Sequence, residues 1–182
     1  MTNSHFKLEI ATHLKSTRKG RGLSLDAVSK LTGVSKAMLG QIEREESSPT
    51  IATLWKISSG LGVSFSAFFS GDPDLCLSEQ SFPNDPRMKM KTLFPYNEDT
   101  GIEVFEISLI NHHQQISSPH SMGVIEYVHV QKGTLNVFFD DQWHLLEQGD
   151  SVRFFSDQPH GYEAISENVI FQNIVCYPKN SH

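Results

Sequence analysis

Residues 23–44, LSLDAVSKLTGVSKAMLGQIER, constrain this chain more than any other stretch, because they spell two short helices joined by a tight turn. Leu25, Val28 and Leu31 form an apolar stripe at helical spacing in the first half, and Leu39 and Ile42 continue one in the second. Ser24 and Ser35 stand where an N-cap hydroxyl accepts from the first free backbone N–H groups. Between the halves, Thr32-Gly33-Val34 supplies a glycine where the corner needs positive φ, followed by an apolar residue to bury. Such a corner leaves the outer side of the second helix free to enter a major groove.

The order of small, glycine and apolar positions resembles the XRE-type helix-turn-helix family, whose best-known members are the lambdoid phage repressors. The likeness covers roughly the first seventy residues, through SPTIATLWKISSGLGVSFSAFF. It implies a five-helix, lambda-repressor-like domain over residues 1–71. The first helix is expected over 5–19, with Phe6, Ile10 and Leu14 on one face, and the fourth near Pro49-Thr50, capped by Ser48 or Thr50. By resemblance, Arg18 pairs with Glu43 and locks the first helix to the third. The same resemblance puts Lys36, Ala37 and Gln41 at base edges, with Gly40 on their face and Ser35 at a phosphate. Lys36 suits guanine O6/N7 and Gln41 adenine N6/N7. Ser24, Arg44 and Thr50 complete the expected DNA-contacting set, with Arg44 on the phosphate backbone.

Charge divides the chain in the same place. Up to Gly71 there are nine Lys/Arg against five Asp/Glu, and from Asp72 onward six against sixteen, which together make the formal charge of −6. A basic N-terminal module suits a phosphate backbone, and an acidic remainder should face away from it. With 38% hydrophobic and 20% charged residues, the composition is that of an ordinary folded protein. MTNSHFKLEI lacks a basic region followed by an apolar run, and no stretch has membrane-spanning length, so the protein is expected in the cytoplasm with no membrane partner. Cys76 and Cys176 are too few and too far apart for a metal knuckle or a disulfide framework.

Residues 72–87, rich in Pro and Asp and without periodicity, read as a linker. Beyond it, eight short alternating runs follow at 88–93, 102–109, 124–130, 134–139, 143–146, 151–155, 160–164 and 169–176. Lys132-Gly133 and Asp140-Asp141 mark turns between them. Close-set short strands predict an antiparallel sandwich or barrel over residues 88–182.

Two segments resemble the motifs of the cupin family and imply a β jelly roll. PHSMGVIEYVHVQKG, from Pro119, resembles the first motif, and GDSVRFFSDQPH, from Gly149, the second. The resemblance puts His120, Glu126 and His160 at three of the four metal-ligand positions of metal-bearing cupins. The fourth is Met122, whose thioether is a poor partner for the harder divalent ions. The expected occupant is therefore a small organic effector bound by His120, Met122, Glu126, Arg153, His160 and Tyr162, rather than a metal held by His120, Glu126 and His160. His112 and His113, in NHHQQ, read as a solvated loop, and His129 and His144 as ordinary strand residues.

The pairing of an XRE domain with a cupin implies a cytoplasmic, homodimeric transcriptional regulator that reads a palindromic operator in double-stranded DNA and senses a small molecule. The general likeness points to the subgroup concerned with sulphur or amino-acid metabolism. An alternative of different class is an iron-dependent cupin oxygenase or epoxidase using the helix-turn-helix as scaffold. The absent second histidine and the basic N-terminal module favour the regulator.

Overall fold

The computed structural model describes residues 3–69, 79–82 and 85–178, with side chains for 7–69 and 86–178. Among the described residues four α-helices come first: α1 (Asn3–Gly20), α2 (Leu25–Thr32), α3 (Lys36–Glu43) and α4 (Ile51–Leu61). Each of the last three is started by a hydroxyl: Ser24 accepts from the Ala27 N–H, Ser35 from Met38 and Thr50 from Thr53. Thr50, not Ser48, is thus the cap of α4. Gly33 ends α2 in the left-handed region at φ 68°, returning its N–H to the Ser29 carbonyl. Where a fifth helix was expected, the described residues hold one 3-10 helix, Ser66–Phe69.

The buried stripe of α2 differs from the expected one. Leu31 is 53% exposed, while Thr32 turns inward, donates to the Val28 carbonyl at 2.8 Å and accepts from the Val34 N–H. The cause is the close approach of α4, since a Cβ on Gly60 would lie 2.5 Å from the Leu31 carbonyl oxygen and 2.7 Å from Thr32 Cα.

Ten strands follow among the described residues: β1 (Glu79–Phe82), β2 (Asp85–Asn97), β3 (Ile102–Ile110), β4 (Gln114–Ser117), β5 (Ile125–Lys132), β6 (Leu135–Phe139), β7 (Gln142–Leu146), β8 (Ser151–Phe155), β9 (His160–Ala164) and β10 (Asn168–Cys176). They form an antiparallel six-stranded sheet, β1-β2-β3-β10-β5-β8, and a four-stranded one, β4-β9-β6-β7. Residues alternate strictly along β3 and β10, so Phe105, Ile107, Leu109, Phe171 and Val175 point inward. Asp140 and Asp141 both take positive φ in the two-residue turn between β6 and β7.

All eight expected runs coincide with strands, but β1 and β4 were not anticipated. β1 and the start of β2 occupy part of the stretch read as linker. Pairing of Glu79 with Lys91 and Gln80 with Met90 supplies the order that local periodicity did not show. Residues 72–78 and 83–84 of that region, with Cys76, lie outside the described residues. His113 is 6% exposed rather than solvated, because β4 begins immediately after it and its carbonyl accepts from the Ala164 N–H.

The helical and sheet regions share one core. Trp55 of α4 packs on Phe65 with centroids 4.4 Å apart, and both meet Phe105 of β3 edge-on. Phe65, Phe68, Phe69 and Phe105 are all at most 1% exposed. Among the described residues, no helix is long and apolar enough to cross a membrane.

Candidate DNA-binding face and cupin centre

Helix α3 stands on a clamp. The Arg18 guanidinium donates from Nε to Glu43 Oε1 at 2.6 Å and from Nη2 to Oε2 at 2.8 Å, while Nη1 reaches the Leu23 carbonyl. This two-point pairing fixes rotation as well as distance between α1 and α3. With Leu39 and Ile42 buried, Lys36, Ala37 and Gln41 are exposed together. Ser24 and Ser35 are exposed beside the N-termini of α2 and α3, and Thr50 is half-buried at its cap.

Two members of the expected set stand differently. Gly40 is buried rather than on the open face; a Cβ there would meet the Leu25 side chain at 3.7 Å and the Arg44 guanidinium at 3.1 Å. Arg44 is exposed but folded onto Glu46 by two hydrogen bonds of 2.8 Å, which raise its pKa further. Lys36 lies 3.9 Å from Asp26, both well exposed.

The cupin centre is built from both sheets. His120, in the loop after β4, Glu126 in β5 and His160 at the start of β9 are 9%, 1% and 1% exposed, and their ligand atoms lie within 4.8 Å of one another. Glu126 Oε1 is 3.0 Å from His120 Nε2 and 3.3 Å from His160 Nε2. The other oxygen, Oε2, accepts from the Tyr162 hydroxyl and from Asn173 Nδ2 at 2.7 Å. These donors orient the carboxylate so that Oε1 alone faces the imidazoles.

Protonation follows from the same contacts. His160 Nδ1 donates to the Gln158 carbonyl at 2.9 Å, which leaves Nε2 with a lone pair toward Glu126 when the ring is neutral. Burial pushes the His160 pKa down against the attraction of Glu126. Burial would raise Glu126, but the imidazoles of His160 and His120 and the Tyr162 hydroxyl outweigh it and hold the carboxyl well below the ordinary range. A carboxylate oxygen and a lone pair that face each other repel, and either a proton or a metal ion between them relieves the repulsion. Two imidazole nitrogens and one carboxylate oxygen are a donor set suited to Zn, Fe, Mn, Co or Ni ions, so these residues fit a divalent metal.

The remaining expected pocket residues divide. Tyr162 is 4% exposed and supports Glu126. Met122 is 87% exposed and does not join the centre, because the loop after His120 turns outward before Gly123, whose N–H is held by Asp157. Arg153 lies on the outer face of the six-stranded sheet, beside Tyr127, His129 and Ile174 in an open depression of about 350 Å³. Alternation along β8 puts Phe154 inward and Arg153 outward.

The interior also differs from that expected for an organic effector. The cavity bordered by Gln115, Ser117, His120, Glu126, His160 and Asn173 has a volume of about 10 Å³, near the minimum for one water. Its lid comes from the helical region. Trp55 stacks on the His120 ring with centroids 4.7 Å apart and planes 29° apart, and Ser59 Oγ lies 3.0 Å from His120 Nδ1. Sequence reasoning missed Trp55, Ser59 and Asn173. Only Asn173 carried a signal, as a polar residue at an inward position of an apolar strand.

Comparison with known proteins bears on the order of the two domains. The helix-turn-helix family HTH_3 matches residues 14–68 and the cupin domain family Cupin_2 residues 109–175. The HTH-type transcriptional regulator SutR of Escherichia coli K12 is 43% identical over 172 residues, 94% of this chain and 96% of that protein. PuuR of the same organism, also an HTH-type transcriptional regulator, is 31% identical over 91 residues, 50% of this chain and 42% of its own. A crystal structure of an HTH_3 family transcriptional regulator from Vibrio cholerae superposes with a TM-score of 0.94 at 68% identity, covering 97% of this chain and 99% of that one. The chain belongs to the family of HTH-type transcriptional regulators that join an N-terminal helix-turn-helix to a C-terminal cupin domain.

Proposed function

We propose that this regulator reads a palindromic operator as a homodimer through α3, and that occupancy of the His120–Glu126–His160 centre biases its DNA-competent state. The observation that carries the reading is the sharing of His120. Its Nε2 faces the cupin centre, while its ring face and Nδ1 touch α4 of the DNA-binding unit. An effector shifts DNA binding only through different affinities for two protein states, and a residue in contact with both units is where such a difference can arise.

Lys36, Ala37 and Gln41 are the base-reading side chains in this proposal, with Ser24, Ser35, Thr50 and Arg44 toward phosphates. Two half-sites about one helical turn apart give useful specificity. Tyr127 and Phe155, 40% and 54% exposed on the outer face of the six-stranded sheet, support the cupin as the source of the dimer. At the centre, a divalent ion would balance the Glu126 carboxylate and take one lone pair from each imidazole. A larger organic effector has room in the clefts that flank His120, one of about 430 Å³ shared with Ser59, Tyr96, Glu98 and Tyr177 and one of about 360 Å³ shared with Ser59, Lys56 and Pro119. An oxygenase would need substrate space beside the metal, and the interior of about 10 Å³ offers room for no more than a water.

The test selects preferred duplexes from a random library with the full chain, then titrates wild type, Gln41→Ala and His160→Ala against them by anisotropy, with Zn²⁺ or with a chelator. Gln41→Ala is expected to relax preference by about 1–3 kcal/mol at one base pair. His160→Ala is expected to keep DNA affinity while losing the metal response. Selection of no preferred sequence would overturn the regulator reading, and identical metal responses in wild type and His160→Ala would overturn the sensor reading.

A further inference from the structure

We infer that Ser59, on the DNA-binding unit, is a positioning residue for the cupin centre, so that divalent-metal binding and the docking of α4 reinforce each other. The inference rests on the metal reading of the triad and adds to it the partner that orients one ligand.

A neutral imidazole carries one N–H and one lone pair. For His120 to offer its Nε2 lone pair to an ion beside Glu126 Oε1, the proton must sit on Nδ1. The group within reach of Nδ1 is the Ser59 hydroxyl at 3.0 Å. When no cation lies between them, Nε2–H points at Glu126 Oε1, 3.0 Å away, and Nδ1 accepts from the Ser59 O–H instead. Occupancy of the centre therefore reverses the direction of one hydrogen bond between the two units. A hydroxyl serves both directions, and its bond is the stronger one with the ion bound, because the charge on Nε2 makes Nδ1–H a better donor; an alanine methyl serves neither.

The other two ligands are oriented from within the cupin, His160 by the Gln158 carbonyl and Glu126 by Tyr162 and Asn173. His120 alone takes this support from a residue 61 positions earlier, on a different unit. Trp55, one turn before Ser59 on α4, covers the same ring and holds its plane. Ser121 adds a second tie, its hydroxyl reaching the Ser59 carbonyl at 3.4 Å. Outer-shell partners of a metal-bound histidine are worth about 10- to 100-fold in metal affinity. By linkage, whatever detaches α4 weakens metal binding by that factor, and metal binding favours the docked helix by the same factor.

The experiment uses the full-length chain carrying Trp143→Phe, which leaves Trp55 as the one tryptophan of the two in the sequence. Zn²⁺ is titrated by calorimetry, Co²⁺ by its visible absorption, and Trp55 fluorescence is followed in both. Ser59→Ala should bind Zn²⁺ about 10- to 100-fold more weakly, while its metal-free melting temperature should fall by only a few degrees, the lost neutral hydrogen bond being partly offset by the helix propensity of alanine. Ser59→Thr, which keeps the hydroxyl, should restore the affinity. Metal should change Trp55 emission strongly in the parent and less in Ser59→Ala. Equal Zn²⁺ affinity in the parent and Ser59→Ala would overturn the inference and leave the metal reading standing. No Zn²⁺ or Co²⁺ binding by the parent would overturn both, beginning with the metal reading.

Discussion

Glu103, near the start of β3, accepts the backbone N–H of Ser66 at 3.0 Å and so ties the 3-10 helix at the end of the DNA-binding unit to the cupin sheet. Its other oxygen accepts from the Phe65 N–H at 3.1 Å and from the Tyr177 hydroxyl. The carboxyl is fully buried, and burial raises its pKa although Tyr177, Ser66 and Phe65 all pull it down.

A carboxyl whose folded pKa is raised contributes stability that is complete below the ordinary glutamate pKa and is lost as pH rises through the folded value. Glu103→Gln removes that dependence and turns an amide N–H toward a backbone donor. It should cost about 1–3 kcal/mol at low pH, and the deficit relative to wild type should shrink as pH rises from 5 to 8. Thermal unfolding across that range checks the sign; a deficit that grows with pH would contradict it.

The Arg18–Glu43 clamp is shielded, with side-chain exposures of 15% and 7%. Removing one partner leaves the other charge largely buried, a loss of about 3 kcal/mol. Arg18→Lys should recover little, because one ammonium cannot replace two parallel N–H donors. Urea unfolding of Arg18→Ala, Arg18→Lys and Glu43→Gln measures this.

Gly60 is where α4 touches the backbone of α2, with no flexible side-chain end to give way. Gly60→Ala should therefore destabilise by about 1–3 kcal/mol or more, despite the better helix propensity of alanine. The displaced α2 should also weaken operator binding. Melting temperature and anisotropy together test it, and a variant as stable as wild type would show that the two helices are not held that closely.

Arg44 must leave Glu46 to reach a phosphate, and Glu46 adds negative charge at the same edge. Glu46→Gln should strengthen binding to specific and random duplexes alike, and steepen the salt dependence by about one phosphate contact. Arg44→Ala should do the reverse. A change confined to the preferred sequence would assign Arg44 to base reading instead.

The helix-turn-helix and eight of the strands were legible because each is written in a window of a few residues. Ser24 and Ser35 cap what they precede, Gly33 turns because it lacks a Cβ, and alternation along β3 or β10 repeats every second residue. Arg18–Glu43 and the positions of His120, Glu126 and His160 came through family likeness, not periodicity. Packing between distant segments set the rest. Leu31 was displaced from the core by the approach of Gly60, and Gly40 was buried against Leu25. β1 and β4 owe their order to pairing partners. Met122 was carried outward by its loop, and Arg153 by the register of β8. The closure of the cupin centre by Trp55 and Ser59 is the extreme case. No local pattern marks those residues as neighbours of His120, because their meeting depends on how an entire helical unit settles onto a sheet.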